Sequence, residues 1–240
     1  MSDLVGERAE DVIATAATSL TSQRVADYLR DSILRGEFRP GDRIRQEDVA
    51  ARFGASRVPV REALRMLEAE GLTEHHANIG ARVPELDRFE VDILYQMRER
   101  LEPLILAESI PHLRGDDLVQ LRHIQERIEA DDDLSHFLEL DRELHLLSYS
   151  GCRFDQLLAT VTRLWNSTQH YRRVFMALSG PGRRWVVTAE HRLLLDAIER
   201  GDIADAERHI LGHVRRTRIE LAKHPDVFAR PDATGRVVRT

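Results

Sequence analysis

Across 240 residues the chain has one cysteine, Cys152, and one lysine, Lys223. A single thiol excludes an internal disulfide and fits a reducing, cytoplasmic compartment. With one lysine, nearly every cation is an arginine, so an isolated arginine carries little information. Aromatic residues make up only 5%. Alternating β-branched runs are scarce too, which points to a mostly helical protein. No apolar run approaches the roughly 18 residues of a membrane helix. Met1 to Leu20 carries Asp3, Glu7, Glu10 and Asp11 and lacks the basic-then-apolar pattern of a signal peptide. There is no internal repeat or low-complexity tract. A net charge of −6 argues against a protein that coats nucleic acid by bulk charge, so any DNA contact must come from local placement. What is present is a hydrophobic content of 42%, enough for real cores. The length suits one large or two modest domains.

One stretch organises the rest, Ser56 to Leu72. Ser56 is expected to cap a helix by accepting from an N–H of the first turn. Pro59 sits in that turn, where a missing N–H costs nothing. Gly71 can take the left-handed conformation that stops the helix. Val60, Ala63, Leu64 and Leu67 share one face, while Arg57, Arg61 and Arg65 form a second stripe about a third of a turn away. Such a helix can lie in a major groove with its arginines on phosphates or forked onto guanine. The same stripe is also what a solvated surface helix shows, so the neighbours decide.

Residues 1–20 are small and polar with weak periodicity, and a frayed arm is expected there. From Ser22, the set Val25, Leu29, Ile33 and Leu34 marks a helix ended by Gly36. Gln46 to Phe53 reads as a short second helix, and Gly54-Ala55 is a tight turn into Ser56. Two helices joined this way form a helix-turn-helix. Leu72–His76 and Ala81–Val83 then read as two extended pieces joined at Asn78-Ile79-Gly80. The whole of 21–84 is a winged helix-turn-helix, followed by a linker at 85–88. From Phe89 the pattern changes to long helices: Phe89–His112, Asp116–Ala130, Leu134–Tyr149, Phe154–Leu178, Arg184–Arg200 and Ile203–His224. Pro103 should kink the first. Six helices with short joints make a bundle over 89–224, and 225–240 reads as a polar, frayed tail. The fold class is therefore mainly α: a winged helix-turn-helix and an all-α bundle.

The first part resembles the GntR regulators. The resemblance rests on Ile33-Leu34-Arg35-Gly36, Pro40-Gly41-Asp42-Arg43-Ile44, Val49-Ala50, Gly54 through Leu64, Leu67, Glu70-Gly71-Leu72, Gly80 and Val83. It implies that the helix after Ser56 reads DNA, with Arg57 and Arg61 on bases or phosphates, Ser56 on phosphate and the wing in the minor groove. Arg65 on the same stripe and Gly80 at the wing complete the expected DNA-binding set. Val58 stands where that family often has threonine, and Ile79 where its wing often has arginine.

Inside the bundle, Leu134, Phe137, Leu138, Leu140 and Leu144 define an apolar side from which Asp141 and His145 also project. A buried carboxylate and imidazole need partners or cost several kcal/mol. His191 lies among Val187, Leu194, Leu195 and Ile198, and His213 falls on the stripe of Ala206, Ile210, Val214 and Thr217. One aspartate and three histidines are a sound set for a divalent transition metal such as Zn, Ni or Mn. Separately satisfied histidines, or a plain Asp141–His145 hydrogen bond, remain the alternative. His209 sits at the edge of its stripe and is the poorer candidate. The bundle resembles the FCD effector-binding domain at Arg98 to Glu102, Asp141-Arg142-Glu143-Leu144-His145, Glu190-His191 and Ala206 to His213. That resemblance implies that the four residues bind a metal which helps hold a small carboxylate. Cys152 stands where that family usually has asparagine. Arg98 could clamp a second carboxylate, or simply pair with Glu102 one turn on. The expected protein is a homodimeric regulator, a repressor of a palindromic double-stranded operator, controlled by a small organic acid and without catalytic residues. The rivals are a metal-dependent enzyme on small carboxylates and a regulator whose metal is purely structural.

Overall fold

The computed structural model describes residues 3–76, 80–180, 182, 184–228, 230–231 and 237–238. It divides into two compact units, residues 1–85 and 86–240.

In the first unit, α1 (Asp3–Leu34), α2 (Gln46–Phe53) and α3 (Arg57–Ala69) surround one core. Val25, Ala26, Leu29 and Ile33 of α1 pack with Val60, Ala63, Leu64 and Leu67 of α3, all of them buried. Arg30 holds both Glu70 oxygens at 2.7 Å and ties α1 to the end of α3. Helix α2 ends on Gly54, whose φ of 58° lets its N–H turn back to the Ala50 and Ala51 carbonyls. Strands β1 (Arg43–Ile44), β2 (Glu74–His76) and β3 (Gly80–Arg82) form an antiparallel sheet in the order β1-β3-β2, pairing Ile44 with Ala81 and His75 with Ala81. Asn78 and Ile79, read as the wing tip, lie outside the described residues.

Two local expectations are corrected. Ser56 occupies the N-cap of α3 with extended backbone, but its hydroxyl accepts no N–H. The third helical residue is Pro59, which has no N–H to offer, and that is a donor a serine cap commonly takes. The proposed arm at 1–20 is helical backbone from Asp3 onward. Ala9, Ala14, Ala16 and Ala17 are strong helix formers, and past Gly6 nothing interrupts propagation back from the packed part of α1.

The second unit holds α4 (Arg88–Ser109), α5 (Gly115–Ala130), α6 (Leu134–Ser148), α7 (Asp155–Ser179), α8 (Arg184–Glu199) and α9 (Ile203–Leu221). Asp87 caps α4 in a reciprocal box with Glu90. Pro103 lies inside α4 without ending it. Helices α4 and α9 pack closely, and Arg218 of α9 reaches Asp92 and Glu99 of α4. The Ser109 hydroxyl donates to the Ser148 carbonyl and accepts from Gly151 N–H, locking the ends of α4 and α6 together. Gly151 is required there, because a Cβ would collide with the Ser109 carbonyl oxygen. The tail also departs from expectation: Pro225–Phe228 is a 3-10 turn, and Arg230–Pro231 (β4) pairs with Val237–Val238 (β5). Val227 and Phe228 are apolar and pack on the core, with Phe228 stacked on Tyr171. Among the described residues, no helix is long and apolar enough to cross a membrane.

Candidate metal centre

Helices α6, α8 and α9 each bring polar side chains to one point of the bundle. Asp141, His145 and His191 are buried, and His213 is nearly so; each offers a ligand-type atom within 4.8 Å of the others. The three imidazole rings stand 5.0 to 5.2 Å apart, centre to centre. Asp141 Oδ1 lies 3.2 Å from His191 Nε2 and 3.9 Å from His145 Nε2. Both of those Nε2 atoms are fully buried and make no hydrogen bond. Apolar burial of unsatisfied polar nitrogens is costly, and a metal ion removes the cost.

The opposite ring nitrogens explain why the Nε2 atoms converge. His213 Nδ1 meets Glu190 Oε2 at 3.1 Å, His191 Nδ1 meets Gln125 Oε1 at 3.2 Å, and His145 Nδ1 meets the Tyr149 hydroxyl at 3.3 Å. Gln125 gives its amide nitrogen to Glu129, so its oxygen faces His191. Tyr149 gives its proton to Glu102, so its oxygen is free to accept from His145. An Nδ1–H that donates outward leaves the Nε2 lone pair free, and for His145 and His191 that atom faces Asp141 Oδ1. Burial, then the neighbouring imidazoles, holds His145 well below the usual histidine range. Burial, then Arg172, pushes His191 down to about 3, and His213 is lowered for the same first reason. Neutral imidazoles and one carboxylate are the donor set a divalent metal takes. The four groups can hold such an ion. Replacing Gln125 with leucine should weaken metal binding about 10- to 100-fold. A competition titration against a chromophoric chelator reads this directly, and unchanged affinity would remove Gln125 from the site.

Three further buried charged side chains surround the centre: Arg98, Glu102 and Arg172. Arg98 donates through Nε to Glu102 at 2.5 Å and through Nη1 to Thr168 at 3.0 Å. Burial works against the charge on Arg98, but Glu102 outweighs it and holds the guanidinium above its usual range. Arg172 forms an ion pair with Asp141 Oδ2, the oxygen facing away from the histidines. Burial and Arg98 push Arg172 down to about 9, so it is still a cation at neutral pH. Both guanidiniums lie against Trp165, 4.4 and 4.1 Å from the ring centre. A cavity of about 20 Å³ reaches His213 between α7, α8 and α9, beside Phe175, Met176, Val187 and Glu190.

His209 pairs with Asp205 and lies outside the cluster. Gln125, Tyr149 and Arg172 escaped the sequence reading. Their signal was a polar residue on an apolar stripe: Gln125 among Leu121, Ile124 and Ile128, and Arg172 among Trp165, Thr168 and Phe175. In a chain whose cations are nearly all arginine, Arg172 drew no notice.

In the first unit, Arg57, Arg61 and Arg65 are exposed on a face of α3 turned away from its buried residues, and Ser56 is exposed at the N-cap. Arg57 lies 3.4 Å from Glu47 and Arg65 2.9 Å from Glu62, while Arg61 makes no ion pair among the described residues. Gly80 opens β3 with a φ of 89°.

Residues 21–83 match the bacterial regulatory proteins of the gntR family, and residues 92–216 match the FCD domain. A regulator from Streptomyces ambofaciens, described as an uncharacterized HTH-type transcriptional regulator in an unstable DNA locus, is 32% identical over 219 residues, 86% of this chain and 89% of that protein. The uncharacterized HTH-type regulator YdhC of Bacillus subtilis is 28% identical, over 78% of this chain and 84% of its own length. The solved structure of Escherichia coli McbR/YncC superposes with a TM-score of 0.75 at 21% identity, over 85% of this chain and 98% of that one, and so shares the fold. This chain belongs to the GntR family of bacterial transcriptional regulators and carries an FCD domain as its second unit.

Proposed function

We propose that this regulator binds a palindromic operator as a homodimer through Ser56, Arg57, Arg61 and Arg65, with Gly80 shaping the wing, and that an organic acid at the metal centre controls that binding. The observation that carries the reading is the set of converging, unpartnered Nε2 atoms around Asp141. A bound Zn, Ni or Mn ion would supply a Lewis-acidic, oxygen-seeking centre there. The chain's own residues hold the three imidazoles in one tautomer, keep water scarce and line the approach past His213. The cavity there has room for about one water, so an acid must widen it. A ligand that fits one arrangement of the helices better than another shifts their balance, typically by about 1–3 kcal/mol between coupled sites. Repression with release by the acid is the arrangement we favour, in a cytoplasmic protein. Among the described residues, no nucleophile or general base stands beside the centre apart from its own ligands and their partners, which favours a sensor over an enzyme.

The test is an operator shift assay on metal-loaded and metal-stripped protein, with and without small carboxylates. Acid-dependent release only in the loaded form is expected; release that ignores the metal would overturn the reading. In the same assay, Arg57→Ala and Arg61→Ala should each cost about 1–3 kcal/mol on operator if the residue is bidentate to guanine. Equal losses on operator and random DNA would reduce those arginines to phosphate contacts.

A further inference from the structure

Two neighbouring residues of α7 serve different parts of the second unit. Arg172 pairs with Asp141 at the metal centre. Tyr171, one residue earlier, faces another way, because successive side chains of an α-helix diverge by about 100°. Its hydroxyl donates to the Leu86 carbonyl at 2.7 Å and accepts from the Leu86 N–H at 3.1 Å. Leu86 is the first residue of the second unit and directly precedes the Asp87 cap of α4. It lies in the linker, the covalent connection to the DNA-reading unit. Backbone outside helix and sheet still needs partners, and one side chain supplies both for Leu86.

The clasp is built into the core. Tyr171 is 4% exposed, the Leu86 side chain packs on the core, and Phe228 of the tail stacks on the Tyr171 ring at 5.6 Å. Arg88, at the start of α4, donates to the Ala222 carbonyl at the end of α9 at 3.3 Å. Roughly 13 Å back along α9, at about 1.5 Å per residue, stands His213. Phe175, one turn past Tyr171 on α7, lines the cavity that reaches His213. Both α7 and α9 therefore connect the metal centre with the start of α4.

Close-packed helices transmit strain and shift as units between discrete arrangements. A turn of α7 that lets Arg172 follow Asp141, or that makes room beside Phe175, also moves the Tyr171 hydroxyl on Leu86. Hydrogen bonds weaken steeply with misalignment, so a small turn suffices to release the linker. We propose that Tyr171 is the positioning residue that passes the state of the metal centre to the linker, holding Leu86 in one arrangement of α7 and freeing it in the other. This rests on the metal-gated reading above and gives it a route toward the DNA-reading unit.

The experiment is hydrogen–deuterium exchange on full-length protein, with Co(II) alone as the probe, following the amides of residues 85–88. In wild type, Co(II) should change linker exchange by about two- to tenfold, the range one hydrogen bond is worth. Tyr171→Phe keeps the ring and its stack on Phe228 but loses both bonds to Leu86. Its linker should exchange at one fast rate with or without Co(II), while Co(II) affinity and absorption spectrum stay those of wild type. Phe228→Ala, which removes the stack and leaves the hydroxyl, should keep the Co(II) response. A Tyr171→Phe linker that still answers Co(II) overturns the proposal, as does a wild-type linker indifferent to it. Loss of Co(II) affinity in Tyr171→Phe would make the residue a support of the centre, and loss of the response in Phe228→Ala would place the coupling in the tail; either result also overturns it. A linker response present in wild type and absent in Tyr171→Phe upholds the clasp even where operator release ignores the metal, and that combination faults the metal-gated reading alone.

Discussion

Replacing His191 with alanine should abolish the metal-dependent part of the second unit's stability. A ligand at about a thousand times its Kd adds roughly 4 kcal/mol to the state that binds it, so wild-type protein should lose several degrees of Tm when stripped by a chelator. In His191→Ala, chelator and added metal should leave the melt unchanged. His191 is 0% exposed, its Nε2 lies 3.2 Å from Asp141, and its Nδ1 is already held by Gln125. Deleting it therefore removes a ligand and opens a hole at once. His209→Ala is the control, since that ring pairs with Asp205 outside the cluster, and it should keep the full metal response. A His191→Ala protein that still gains stability from metal would mean the ion sits elsewhere.

The second large effect is expected at Glu102. Its carboxylate accepts from Arg98 and from the Tyr149 hydroxyl, and it is 0% exposed. Glu102→Ala leaves the Arg98 cation buried and unpaired, which typically costs about 3–5 kcal/mol. It also takes away the acceptor that orients Tyr149, and with it the partner that sets the His145 tautomer. Metal affinity should therefore fall along with stability. Both tryptophans, Trp165 and Trp185, lie in the second unit, so urea denaturation followed by tryptophan fluorescence reports that unit alone. The double variant Arg98→Met/Glu102→Leu should recover most of the loss, because replacing both partners leaves no uncompensated charge. A loss under about 1 kcal/mol in Glu102→Ala, within the range of an exposed ion pair, would show that water reaches the pair.

The helices were legible because their apolar residues recur at helical spacing. Val60, Ala63, Leu64 and Leu67 name the buried face of α3, and Arg57, Arg61 and Arg65 its exposed one. Asp141, His145, His191 and His213 were legible for a related reason: each interrupts an apolar stripe, and a ligand-type residue there has to be explained. Local chemistry was read less well. A serine at an N-cap suggests a cap, but the proline three residues on decides whether a donor exists. The alanine-rich start of α1 lacks an amphipathic pattern, yet it propagates as helix because helix formation is cooperative from a packed end.

The sequence by itself determined which residues face inward, because burial follows periodicity and needs no knowledge of neighbours. It could not determine which inward-facing residues meet. Arg98 and Glu102 are one turn apart on α4, so their pairing is local and could be anticipated. Arg172 and Asp141 lie on different helices, as do Gln125 and His191, and Tyr149 and Glu102. Those contacts depend on how α4, α5, α6, α7 and α8 are packed and rotated. Rotation of a helix by a fraction of a turn changes partners without changing its pattern of buried positions. The charge balance at the centre is a sum over several helices, and only the tertiary structure brings its members together.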